Sequence, residues 1–134
     1  MDLSGLYPPV PTFFTASGAL DLDSLRSTLV RLQAEPLRGF VLGGSNGEFT
    51  SLTIEERLNV VRTARAVVAS DRWLIAGSGL ESTAATIELT RAVAAAGADA
   101  ALVVTPGYFK SRMTVAALVA HFIAVADASP IPVI

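Results

Sequence analysis

The feature that most constrains this chain is an alternation: short apolar runs take turns with segments of helical periodicity along its length. That rhythm belongs to βαβ units, in which parallel strands are joined by crossover helices. Residues 7–14 form the opening strand, with Pro8, Pro9 and Pro11 restricting how it can pair. After a turn at Gly18, Asp21 or Asp23 can cap a helix whose core stripe is Leu25, Leu29 and Leu32, and Pro36 stops it. A buried strand follows at Phe40-Val41-Leu42. Thr53 and Glu56 form a Thr-x-x-Glu capping box, opening a helix with the stripe Val60, Val61, Ala64 and Val67/Val68. The next strand is expected over 73–76, and the next helix over 83–96 with Gly97 just past its end. A strand over 100–104, a helix from Thr114 to about Asp127, and a strand beginning at 131–134 complete the pattern.

Composition agrees with strands buried on both faces. Apolar residues make up 51% of the 134, drawn from Ala, Val and Leu more than from aromatics, and 16% are charged. The formal net charge of −2, without clustered Lys and Arg, argues against a nucleic-acid partner. The absence of cysteine excludes a disulfide frame, a thiolate zinc site and a thiol nucleophile. No apolar run approaches the roughly 20 residues that span a bilayer, and the start Met-Asp-Leu-Ser-Gly-Leu-Tyr does not read as a leader. A cytoplasmic protein without a membrane partner is the expectation.

Polar and glycine clusters fall at the strand C-termini: 44–48, 77–81 and 105–110. Parallel α/β folds hold their ligands at that edge. Ser45 and Asn46 sit in the glycine-bracketed turn Gly43-Gly44-Ser45-Asn46-Gly47-Glu48. A hydroxyl, an amide and backbone N–H groups near a helix start suit an anion such as a carboxylate. They equally suit an ordinary strand-to-helix turn. Glu48 can serve as acid or base, but the favoured reading is that it pins the turn by accepting backbone hydrogen bonds. Tyr108, after Thr105-Pro106-Gly107, can relay protons or pack as a rim aromatic. Tyr7 reads as structural.

Lys110 is the one lysine, and its loop, Phe-Lys-Ser-Arg-Met, reads as solvated, unlike the desolvated setting of an imine-forming amine. Arg112 reads as a surface or interface charge. His121, the one histidine, reads as a helix-face residue without metal-ligand company, so no metal or cofactor is expected. Gly77-Ser78-Gly79 lacks the lysine of a phosphate loop, which leaves an open nucleotide-binding sheet as a weak alternative.

The turn Gly39-Phe40-Val41-Leu42-Gly43-Gly44-Ser45-Asn46-Gly47-Glu48 resembles the dihydrodipicolinate synthase and N-acetylneuraminate lyase family of class I aldolases. Residues 7–15, Ala76-Gly77-Ser78-Gly79 with Glu81-Ser82-Thr83, and Val103-Val104-Thr105-Pro106-Gly107-Tyr108 agree with that family in order and spacing. The resemblance implies an α/β fold of the (β/α)8 TIM-barrel type. Residues 1–134 then form the N-terminal half of one barrel domain, about the first four and a half β/α units. Ser45-Asn46 departs from the Thr-Thr or Ser-Thr usual there, and the motifs look most like the 4-hydroxy-2-oxoglutarate aldolases, a mitochondrial type in animals.

What the resemblance implies in chemistry is a lysine imine with a small 2-oxo acid, pyruvate as product, Ser45 in a proton relay and Asn46 holding the substrate carboxylate. Tyr108 is expected to reach across an interface of a homodimer or homotetramer. The family's catalytic tyrosine and imine lysine lie beyond position 134. The expectation is therefore either an aldolase carried by a longer polypeptide or a non-catalytic half-barrel that pairs with a completing half.

Overall fold

The computed structural model describes residues 3–134; Met1 and Asp2, where the reading for a leader began, lie outside the described residues. Four helices alternate with three strands: α1 (Leu22–Leu32), β1 (Gly39–Leu42), α2 (Ile54–Val67), β2 (Trp73–Gly77), α3 (Thr83–Ala95), β3 (Ala100–Leu102) and α4 (Val115–Ala128). The strands pair in parallel in the order β1-β2-β3, with Phe40 beside Leu74 and Ala76 beside Ala101.

The opening and closing strands read from sequence are reduced here to single parallel bridges, Pro9 with Val41 and Ala101 with Val133. Each lies along an outer edge of the sheet, so five extended segments run side by side in chain order. Proline explains the shortening. Pro8, Pro9 and Pro11 donate no backbone N–H, leaving Val10 to donate to the Val41 carbonyl (2.9 Å) while the Pro8 carbonyl accepts from Val41 (3.0 Å). At the other edge Pro130 and Pro132 flank the same restriction. The strand expected over 100–104 also ends early, at Leu102.

Local chemistry explains the helices. The Asp21 carboxylate caps α1, accepting from the Ser24 N–H (2.9 Å). Thr53 and Glu56 close the expected capping box on α2 (2.8 and 3.3 Å), and Ser82 and Thr114 cap α3 and α4. Gly97, at φ +107°, turns the chain out of α3 in a conformation that side chains disfavour.

One face of the sheet packs on the helices. Phe40, Leu42, Leu74 and Ala76 are buried with Leu25 and Leu29 of α1, Val60, Val61 and Ala64 of α2, and Leu89 and Val93 of α3. Ala101 and Val103 pack against Val125 of α4. Strand alternation sends Val41, Ile75 and Leu102 to the opposite face. There Val41 and Leu102 are only half-buried. This is the arrangement of part of a parallel α/β barrel, helices outside and a second apolar face inside. At the N-terminal edge, Asp99 joins two layers by accepting from Arg65 (3.0 Å) and from the Leu74 N–H (2.8 Å).

Replacing Ser82 by Ala removes the α3 cap and is expected to cost about 1 kcal/mol in chemical denaturation. Acid sensitivity follows from α2. Hydrogen bonds from the Thr53 backbone and hydroxyl hold the Glu56 carboxyl below its ordinary value of 4.5. Its stabilising contribution is therefore full above that value and disappears as pH falls through the depressed one. Melting curves of Glu56→Gln should show a flatter decline across that acidic range than the parent chain.

Candidate active site at the strand ends

Beyond β1 and β2 the two backbones come into contact. A Cβ on Gly77 would overlap the Gly43 carbonyl, so glycine is what allows the turn after β1 to lie against the end of β2. The chain then winds through two short 3₁₀ turns, Ser45–Gly47 and Phe49–Ser51. Thr12 anchors the first, its hydroxyl donating to the Gly47 carbonyl (2.6 Å). Between them Glu48 adopts a left-handed conformation, φ 51° and ψ 38°, the one non-glycine residue with positive φ among the described residues.

The neighbouring turn after β2 is fixed from below. Ser78, fully buried, shares a hydrogen bond with Thr90 (2.8 Å), and Thr86 both accepts from the Leu80 N–H and donates near the Leu80 carbonyl (3.1 Å each). Ser78 is thus a packing residue. The carboxylate of Glu81 accepts from the backbone N–H groups of Gly107 (3.2 Å) and Tyr108 (3.0 Å), tying the loop after β3 to the loop after β2.

These loops border a half-open cavity of about 210 Å³, lined by Ser45, Phe49, Arg57, Gly77, Gly79 and Val104. That is smaller than the roughly 300–1,000 Å³ of pockets for drug-sized ligands. Arg57 forms its most unusual wall. The side chain is 4% exposed; one N–H donates to the Gly77 carbonyl (2.9 Å), and the guanidinium lies over the Phe49 ring at 5.2 Å. Its Nε–H has no partner. Burial holds its pKa below the ordinary arginine value. A second, wider hollow of about 390 Å³ shares Arg57 and Phe49 and continues past Thr53 and Glu81.

The residues singled out from sequence separate here. Ser45 is exposed and borders the cavity; Asn46, also exposed, does not border it. Tyr108 is 78% exposed on the outer rim, its ring edge-on to Phe109 at 4.9 Å. Tyr7 has a buried hydroxyl without a hydrogen-bond partner. Lys110 and Arg112 lie exposed in a 3₁₀ turn away from the cavity. His121 is buried between α3 and α4, its Nδ1 paired with the Thr83 hydroxyl (2.9 Å). The reading of Glu48 as the pin of its turn does not hold. Its carboxylate is exposed and makes no hydrogen bond. The pinning carboxylate is Glu81.

Fold and site together define a stretch of a parallel α/β barrel, with its polar loops gathered at the strand C-termini. The chain belongs to the dihydrodipicolinate synthetase family, which matches residues 2–134. It is 46% identical over its whole length to 44% of the 4-hydroxy-tetrahydrodipicolinate synthase of Xanthomonas axonopodis pv. citri. It is 41% identical, over 97% of its length, to 43% of a probable mitochondrial 4-hydroxy-2-oxoglutarate aldolase of Emericella nidulans. The dihydrodipicolinate synthase of Acinetobacter baumannii, solved with pyruvate, superposes with a TM-score of 0.92 at 32% identity, covering 98% of this chain and 45% of that one. The chain thus spans a little under half the length of these relatives.

Two carboxylates separate by role in a stability measurement. Glu81→Ala should lower the melting temperature by loosening the loop after β3. Glu48→Ala should lie within about 0.5 kcal/mol of the parent chain, as expected of an uncontacted surface side chain.

Proposed function

We propose that this chain supplies the N-terminal part of a Schiff-base aldolase acting on pyruvate-type 2-oxo acids, with 4-hydroxy-2-oxoglutarate as the favoured substrate. The observation that carries this reading is the small cavity at the strand C-termini, bordered by Ser45, in a chain of this family. The Ser45-Asn46 pair and the likeness to the Emericella nidulans protein favour the aldolase over the synthase reaction. A synthase-like or N-acetylneuraminate lyase-like activity is the second reading, favoured by the higher identity to the Xanthomonas protein.

In the proposed reaction a lysine amine condenses with the 2-oxo group, releasing water and leaving an iminium that accepts electrons. The C4 hydroxyl gives up its proton, the C3–C4 bond breaks toward the iminium, and glyoxylate departs. Protonation of the enamine and hydrolysis return pyruvate and the free amine. That lysine comes from the part of the barrel beyond residue 134, since Lys110 is exposed outside the cavity. In this reading Ser45 passes the hydroxyl proton, and Asn46 turns toward the carboxylate when substrate is present. Tyr108 extends from the rim toward the site of a partner subunit in a homodimer or homotetramer. The chain works in the cytoplasm or, as the name of the Emericella protein suggests for that relative, in mitochondria.

A chimera in which residues 1–134 replace the matching segment of the Xanthomonas synthase tests this. Pyruvate release from 4-hydroxy-2-oxoglutarate is expected, and Ser45→Ala should reduce kcat by about 10²–10⁴-fold, the range of general acid–base contributions. A well-folded chimera that releases no pyruvate while retaining the condensation reaction would select the synthase reading.

A further inference from the structure

We infer that Glu81 is a positioning residue for Tyr108: it fixes the direction in which the phenol leaves the rim toward a partner subunit's site. The inference rests on the reading of Tyr108 as a residue of that site, and it assigns the placing of the ring to a side chain for which the sequence motifs gave no role.

Tyr108 does not fix itself. The residue is 78% exposed, and the one aromatic contact its ring makes is edge-on to Phe109, which is itself 65% exposed. A side chain in that setting points where its backbone sends it. The backbone, in turn, has little support of its own. Among the described residues, none from Val104 to Tyr108 takes part in a backbone-to-backbone hydrogen bond. The last such bond before them is made by the Val103 N–H, and the next by the Phe109 carbonyl.

What holds this segment is the Glu81 carboxylate. Both of its oxygens accept from the Gly107 N–H (3.2 Å each), and one also accepts from the Tyr108 N–H (3.0 Å). Hydrogen bonds to an ionised acceptor are stronger than neutral ones. Glu81 can serve as a brace because both of its neighbours are anchored. On one side the hydroxyl of the fully buried Thr86 holds the N–H and the carbonyl of Leu80 (3.1 Å each). On the other, Ser82 caps α3 through the Ala85 N–H (3.0 Å). Helix, carboxylate and two amides thus form one chain of contacts from α3 to Tyr108. A phenol delivered across a subunit interface has to arrive in place, since a misplacement of about 1 Å costs on the order of 10²-fold in rate. The loop has one carboxylate at which that placement is set.

A residue that only keeps the loop folded would act on stability alone, so the test pairs a spectroscopic reading with a kinetic one. In the full chain, ¹⁵N relaxation should show the Gly107 and Tyr108 amides as ordered as those of β3; in Glu81→Ala they should become mobile while α3 is unchanged. In the same chimera with the Xanthomonas synthase, kcat is read on whichever reaction the chimera catalyses, so failure of the aldolase reading leaves the test standing. Glu81→Ala should lower kcat about tenfold or more, with KM within about twofold of the parent. Glu81→Gln, which keeps an acceptor oxygen, should restore most of that loss. Tyr108→Phe should itself lower kcat, and adding Glu81→Ala to it should cost no more than about twofold further, the non-additivity of residues that act as a unit.

Amides of Gly107 and Tyr108 that stay ordered in Glu81→Ala, a Glu81→Ala chimera at the parent kcat, or two losses that multiply in the double variant each overturn the inference. Tyr108→Phe at the parent kcat contradicts the reading of the phenol, and the inference falls with it. If Glu81→Ala does not fold, Glu81→Asp, one methylene short of the two amides, takes its place in every measurement.

Discussion

Much of this molecule depends on the contact between Gly77 and the turn after β1. At the C-terminal ends of β1 and β2 the backbones can meet because Gly77 carries no side chain, while Gly43 supplies the positive φ that starts the turn. The consequence runs in two directions. On one side the turn containing Ser45 is laid against the end of β2 and becomes a wall of the cavity. On the other, the Gly77 carbonyl is left facing α2, where Arg57 occupies it. A Cβ at this one position would displace the Gly43 carbonyl, and with it both the turn and the partner of the buried cation.

The two ends of the sheet have been given different work. At the N-terminal edge, Asp99 and Arg65 form a closed set of hydrogen bonds: Arg65 also reaches the carbonyls of Val68 and Ala69, which finish α2. Those groups are satisfied by one another. At the C-terminal edge Arg57 has a buried N–H without a partner, Ser45 and Asn46 are exposed, and Glu48 adopts a backbone conformation that few residues adopt. Backbone strain of the kind at Glu48 gathers at ligand sites, and Glu48 is the one described non-glycine residue with positive φ.

The helices were legible because their determinants are local. The capping box of α2, the apolar stripes and Gly97 are each written within a few residues, and each reappears in place. The outer strands were legible in position but not in extent, since prolines set how many ladder bonds remain and the sequence does not say which N–H groups the neighbour needs. The turn at 43–48 was legible as a site, yet the roles of its side chains were not. Glu48 sits in a left-handed conformation that sequence does not announce, and the carboxylate that does the pinning, Glu81, is 26 residues from the Gly107 amide it holds. Arg57 was missed because Glu55-Glu56-Arg57 reads as a solvated charge run. The signal was nonetheless present: Arg57 precedes Val60, Val61 and Ala64 at helical spacing, placing a cation on the stripe that packs against the core.

A crystal structure of the chain grown with saturating pyruvate tests the central claim most directly, namely that the chemistry belongs to the cavity between Ser45, Gly77 and Arg57 rather than to the exposed lysine loop. The account predicts intact, non-covalent pyruvate in that cavity, and Lys110 unmodified. Pyruvate joined as an imine to Lys110, or ordered only outside the cavity, would contradict it.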